Sequence, residues 1–172
     1  MLMDHCLSRV RAYEVLKEQR PVMSQETLTG ATLAYLVNTS PRRLALSDVV
    51  NLGIHLCSAV QYLHRHNVLH LDLKPSNVVF ERQLAKVLDL SIARSPARDR
   101  KGARTPQYMA PEQARGGCLG PATDVWGIGA VLFDATTGEE PFNADDEDDE
   151  PSYVQTERRI SPIAPARSGT LR

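Results

Sequence analysis

The chain has 172 residues, 42% of them hydrophobic, and a formal charge of −1, which suits one globular domain with a real core rather than two. So small a charge supplies no overall field for nucleic acid or an anionic membrane. Three cysteines, Cys6, Cys57 and Cys118, show no C-x-x-C spacing and suggest neither a disulfide framework nor a zinc site. With no signal-peptide pattern and no apolar run long enough to span a bilayer, the expectation is a soluble, cytoplasmic protein without a membrane segment.

Ser8 to Gln19 are helix-formers with interspersed charges that end at Pro21, which predicts one short helix. Val22 to Val37 holds Thr29-Gly30 between apolar stretches and predicts a strand end, a turn and a short helix closing near Asn38. Pro41-Arg42-Arg43 forms the next connection. Ser47 is placed to cap a helix whose Val49, Leu52, Leu56, Val60 and Leu63 follow the spacing of one buried face. His70 to Asn77 breaks that period. Two short strands, Asn77–Phe80 and Ala85–Leu88, follow and would project Asp89 from a strand end.

Ser91 to Gly120 is rich in Arg, Pro and Gly and reads as a long loop of the kind kept for function. Val125, Ile128, Val131, Leu132 and Ala135 then make a second helix apolar on most sides, with Gly138 placed to end it. From Asp145 to Glu150 the chain is wholly acidic. Like charges repel, so residues 145–172, with their Pro, Ser and Arg mixture, read as a disordered tail. The acidic run lacks the glycine and alternating ligands of a calcium loop.

Asp72, Lys74 and Asn77 crowd an otherwise apolar stretch, and Asp89 follows at a strand end. Phosphoryl transfer needs such a set: an aspartate to accept the proton of the attacking hydroxyl, and an asparagine and a second aspartate to hold magnesium against the phosphates. The bland alternatives are an exposed Asp72–Lys74 ion pair, a merely packed His70, and an Asp124 that caps the helix it opens. Capping is the expectation for Asp124, and a packed structural role for His70.

His70-Leu71-Asp72-Leu73-Lys74-Pro75-Ser76-Asn77 resembles the catalytic loop of eukaryotic-type protein kinases, and Asp89-Leu90-Ser91 their metal-binding tripeptide. Thr105-Pro106-Gln107-Tyr108-Met109-Ala110-Pro111-Glu112 resembles the end of their activation segment, and Asp124-Val125-Trp126-Gly127-Ile128-Gly129 the start of the following buried helix. Four motifs in the right order carry the resemblance, which runs from about Gln25 to Phe142 and is closest in wording to bacterial serine/threonine kinases. It implies a mainly α chain within an α+β family fold: a kinase-like C-lobe over 25–144 with a short β-hairpin carrying the catalytic-loop and metal-site residues. Residues 1–24 would be a remnant helix or linker.

The resemblance makes Asp72 the catalytic base, Lys74 the cation beside the transferred phosphate, and Asn77 and Asp89 the magnesium ligands. Thr105 would brace the catalytic loop, Asp124 would support it rather than react, and an adenine-binding hinge would fall near Glu26 to Leu28. The implied cofactors are ATP and Mg2+, the partner a protein with a Ser or Thr hydroxyl, and no nucleic acid.

Some positions depart from the family. Leu71 stands where many kinases carry an arginine that pairs with a phosphate on the activation segment, which argues against that switch and would leave an apolar side chain near the surface. Ser91 and Arg104 replace usual glycines. No G-x-G-x-x-G loop or V-A-I-K strand is present in these residues, and Glu14, on the first helix, is what could stand for the N-lobe's ion-pairing glutamate. The family also pairs the position of Glu112 with an arginine from later helices. Two function classes follow: a partial serine/threonine kinase, and a catalytically inactive kinase-like remnant or pseudokinase acting as a binding module.

Overall fold

The structure, a computed structural model, describes residues 6, 10–15, 20–39, 44–81, 83–98 and 106–142, with the backbone alone for 10–15 and 20–25. Strands β1 (Val10–Val15) and β2 (Arg20–Gln25) pair antiparallel, with Tyr13 opposite Val22 and Ala12 opposite Met23. Where a helix is expected over Ser8 to Gln19, the described residues Val10–Val15 are strand instead, and Glu14 lies on it. Its helix-formers offer a modest local preference, and cross-strand pairing along the whole of Arg20–Gln25 outweighs it.

Beyond the Thr29-Gly30 turn, β3 (Ala31–Thr32) runs into α1 (Leu33–Thr39), as the sequence suggests. Gly30 is required here, since a Cβ would lie 1.8 Å from the Phe80 carbonyl oxygen. Helix α2 (Leu46–Arg65) starts before the expected cap: the N-cap is Ala45, with no side-chain cap, and Asp48 complements the helix dipole in the first turn.

Strands β4 (Val78–Glu81) and β5 (Leu84–Val87) form an antiparallel hairpin whose first strand also pairs with β3. Asp72 to Asn77 precede this hairpin and Asp89 follows it, so the polar residues flank the strands rather than ride on them. Between residues 91 and 120 the expected loop contains a 3-10 turn (Pro106–Tyr108) and a short helix, α3 (Pro111–Arg115). Pro at the first helical position and Gly116 in the left-handed conformation at the end set its limits. Helix α4 (Pro121–Thr137) ends at Gly138, with φ of 72°.

The core lies where α2 and α4 meet β4 and β5. Leu52, Leu56, Ala59 and Val60 of α2 pack with Val78, Ala85 and Val87 of the hairpin and with Ile128, Val131 and Ala135 of α4. Cys6 is fully buried beside them, its carbonyl accepting the Val87 N–H at 2.8 Å. Past α4, Phe142 stacks on Trp126 at 5.4 Å. Among the described residues no helix is long and apolar enough to cross a membrane. Thr105, Arg104, the Pro41-Arg42-Arg43 connection, the acidic run and the rest of the 145–172 tail lie outside the described residues.

Candidate active site

The loop from His70 to Asn77 enters between α2 and α4 and leaves into β4. Its conformation is costly locally: Leu71 has φ of 69°, a region unfavourable to a residue with a Cβ. The tertiary structure holds it there through both backbone polar groups. The Leu71 N–H donates to Asp124 Oδ1 at 2.8 Å, and the Leu71 carbonyl accepts from Gln113 Nε2 at 2.9 Å.

Asp124 is 1% exposed. Its Oδ2 accepts the His70 N–H at 2.9 Å and lies 2.8 Å from His64 Nε2 at the end of α2. This corrects the capping expectation. Helix α4 begins three residues earlier, its N-cap is Gly120, and the Gly120 N–H donates to Thr123 Oγ1. A buried carboxylate needs compensating donors, and here they come from the strained loop and from α2.

His70 is the packed histidine expected. It is fully buried, with Nε2 3.0 Å from the Leu88 carbonyl and Nδ1 accepting the Asp72 N–H at 3.3 Å. Those two bonds specify the neutral ring protonated on Nε2. Burial accordingly holds its pKa below the usual imidazole range, against the opposing pull of Leu88, Asp124, Asp72 and Asp89.

Asp72, Lys74 and Asn77 are brought together. Lys74 Nζ lies 3.0 Å from Asp72 Oδ2, and Asn77 Nδ2 donates both to Asp72 Oδ2 at 3.0 Å and to the Asp72 carbonyl at 2.9 Å. Both side-chain contacts use Oδ2. Leu73, Tyr108, Gln113, Thr123 and Asp124 line a small pocket with Asp72. A larger cavity of about 430 Å³ is lined by Leu36, Leu44, Asp48, Asn51, Phe80 and Gln83. It includes none of the expected site residues.

Asp89 joins the group through the backbone, since the Leu88 N–H donates to the Asn77 carbonyl at 2.8 Å. Its φ is 63°, which an aspartate tolerates better than most residues. The Ser91 hydroxyl and N–H bind its carboxylate and hold it below the usual range, with smaller contributions from His70 and Lys74. Ser91, where the family has glycine, thus fixes the carboxylate. Glu26 and Leu28 sit on the extended connection between β2 and β3. Glu26 pairs with Lys86 of β5 at 2.9 Å, and the Thr29 N–H and hydroxyl donate to Glu81 Oε1 at 3.0 and 2.9 Å. These contacts tie the connection to the β4–β5 hairpin and make no described bond to Asp72.

Three supporting contacts were not singled out from the sequence. Gln113 bridges α3 to Leu71, its Oε1 also accepting the Ala110 N–H. The Thr123 hydroxyl donates to Glu112 Oε1 at 2.7 Å, so Glu112 has a partner without the later arginine. Tyr108 OH donates to Asp134 Oδ2 at 2.5 Å. Burial, then Asp134, push the Tyr108 hydroxyl far up, and burial likewise raises Asp134. The signal for Gln113 was its place as the third residue of a helix opened by Ala110-Pro111, where Gln commonly reaches back to the N-cap.

Leu71 is 5% exposed. The expectation of an apolar side chain near the surface is therefore corrected: it is enclosed by Leu69, Leu119 and the half-buried Ile92.

Comparison with known proteins agrees with this geometry. The family model described as protein kinase domain matches residues 5–167. Serine/threonine-protein kinase PknB of Mycolicibacterium smegmatis is 33% identical over 160 residues, covering 86% of this chain and 24% of that protein. PknB of Mycobacterium leprae is 35% identical over 135 residues, 73% and 21% of the two chains. The chain thus spans about a quarter or less of the length of these curated relatives. The kinase PK-1 of the Cydia pomonella granulovirus superposes with a TM-score of 0.79 at 20% identity, covering 97% of this chain and 66% of that one. A loop of this build, flanking hairpin strands and anchored by a buried helix, together with a family match over most of the chain, establishes that the protein belongs to the protein kinase domain family, with bacterial serine/threonine kinases among its relatives.

Proposed function

We propose that this chain carries the catalytic-loop lobe of a serine/threonine protein kinase, which transfers the ATP γ-phosphate to a protein Ser or Thr hydroxyl. The observation that supports it best is the arrangement of Asp72. Asn77 and Lys74 both engage Oδ2, which orients the carboxylate and leaves Oδ1 to accept the proton of an incoming hydroxyl. Lys74 stands 3.0 Å from Oδ2 of the same carboxylate, where its ammonium would neutralise the transferred phosphate.

The donors also fit magnesium. Asn77 commits Nδ2 to Asp72, which orients its amide, and Asp89 is kept anionic by Ser91. A carboxylate and an amide oxygen are hard ligands of the kind magnesium takes alongside substrate phosphates. Asn77 and Asp89 would hold the ion, and the ion would neutralise developing charge on the phosphates. The Glu26 to Leu28 connection would take the adenine, its position fixed by Lys86 and Glu81.

These 172 residues contain no glycine-rich phosphate-covering motif, so the chain alone should show negligible turnover with Mg-ATP and a basic protein substrate. Joined to the glycine-rich lobe of a mycobacterial relative, it should phosphorylate that substrate, and Asp72→Ala or Asp89→Ala should each abolish the activity. A joined protein that folds and binds ATP yet remains inactive would replace this reading with that of an inactive binding module.

A further inference from the structure

Helix α1, the start of α2 and the β4–β5 connection meet around the cavity of about 430 Å³, within the roughly 300–1,000 Å³ that small-molecule sites occupy. None of Asp72, Lys74, Asn77 and Asp89 lines it. Its apolar side is built from Leu36 of α1, Leu44 just before α2 and Phe80 of β4. Leu44 and Phe80 also pack against the main core, and Phe80 is paired on both edges of its strand, with Ala31 of β3 and Ala85 of β5. That wall is therefore in place before any ligand arrives.

The polar side is made by Asp48 and Asn51 of α2 and by Gln83 of the hairpin. Residues three apart on a helix lie on the same face, so the Asp48 carboxylate and the Asn51 amide serve one side of the cavity together. None of the three side chains has a hydrogen-bond or ion-pair partner among the described residues. Gln83 sits in the two-residue connection between Glu81 and Leu84 with φ of 68°, a backbone that glycine adopts at lower cost. A long amide takes the position instead and reaches the cavity. Local strain of this kind clusters at ligand sites.

Asp48 is the one charged group among these six residues, so the cavity selects for a cation and against an anion. The dipole at the start of α2 offsets part of the carboxylate charge, which makes recognition act at contact distance and not through a long-range field. The carbonyl oxygens of Asn51 and Gln83 can accept the N–H groups that Asp48 leaves. Leu36, Leu44 and Phe80 then cover an apolar body.

We propose that this cavity is a second binding site, apart from the Asp72 loop, for a small organic cation: a primary ammonium carried on an apolar body of aralkylamine size. The site does not rest on the kinase reading of Asp72, and binding is measured without phosphoryl transfer, so the two can fail separately.

The test is titration of the full chain with phenethylammonium chloride, followed by backbone-amide NMR, beside the neutral phenethyl alcohol and the anionic phenylacetate. Saturable shifts are expected at the Leu36, Leu44, Asn51 and Gln83 amides, with affinity for the cation about threefold or more above that for the alcohol and no saturable shift with phenylacetate. Asp48→Asn, at an exposed position, keeps the side-chain shape and removes its charge, and should bring the cation down to the affinity of the alcohol. Gln83→Gly relieves the backbone strain, so the protein should fold at least as stably, yet it should weaken binding of the cation by about twofold or more. The proposal is overturned by the absence of saturable shifts, by shifts confined to Leu71 to Asn77, by equal affinity for cation and alcohol, by saturable binding of phenylacetate, or by unchanged cation affinity in either variant.

Discussion

Asp124 and His55 show what single buried polar side chains do here. Asp124 offers two oxygens to His64, the His70 N–H and the Leu71 N–H, all in the interior. Asp124→Ala leaves those donors without an acceptor and should cost about 3–5 kcal/mol of unfolding free energy in urea titrations. A loss under about 1 kcal/mol would mean that the loop is held by other means. His55 is 8% exposed, and its Nδ1 accepts the Ala85 N–H at 3.2 Å. Burial holds its pKa below the usual value, so the folded state favours the neutral ring while the unfolded chain takes up a proton near about pH 6.5. This contribution is fully present above that pH and is lost as the pH falls through the window beneath it. His55→Asn keeps an acceptor and removes the titration. The fall of stability between about pH 6.5 and 5 should therefore be shallower than in the wild type, with His70 supplying part of what remains.

At the scale of elements, two glycines of α4 separate close approach from simple flexibility. A Cβ on Gly127 would stand 2.9 Å from Leu73 Cβ, whereas one on Gly129 would meet nothing within 4 Å. Helix α4 thus needs Gly127 to seat the catalytic loop and gains nothing comparable from Gly129. Gly129→Ala should stabilise the protein by about 0.5–1 kcal/mol through helix propensity. Gly127→Ala should destabilise it by about 1–3 kcal/mol through overpacking, less the same propensity gain. Thermal or urea unfolding of the two variants gives the comparison directly, and a stabilised Gly127→Ala protein would contradict the contact between Leu73 and α4.

Across the whole molecule, apolar surface remains on the helices that build the core. Leu46, Val50 and Ile54 recur four residues apart on α2, at 76%, 53% and 50% exposure, and Val125 of α4 is 60% exposed. Asp48 is the only Lys, Arg, Asp or Glu between Leu46 and His64, so little charge borders that stripe. Surfaces of this kind bind other apolar surfaces. The native chain should bind a hydrophobic dye or self-associate, and Leu46→Gln, Val50→Gln and Ile54→Gln together should reduce both, by fluorescence titration and light scattering. A monomer that melts cooperatively without dye binding would show the stripe to be covered in solution.

The sequence by itself determined the polar constellation and the elements around it. Motif spacing picked out Asp72, Lys74, Asn77 and Asp89, period and turn chemistry found α2, α4 and the β4–β5 pair to within a few residues, and Gly138 marked the end of α4. These signals are local, set by side-chain periodicity and by the backbone demands of single residues. Tertiary structure decided what depends on distant partners. Residues 10–15 became a strand because 20–25 pair with them, and Asp124 became an anchor because α2 and the loop bring three donors to it. Leu71 became buried because residues 92 and 119 close over it. Strand pairing and the satisfaction of buried polar groups are contacts between segments far apart in the chain, and no local pattern encodes them.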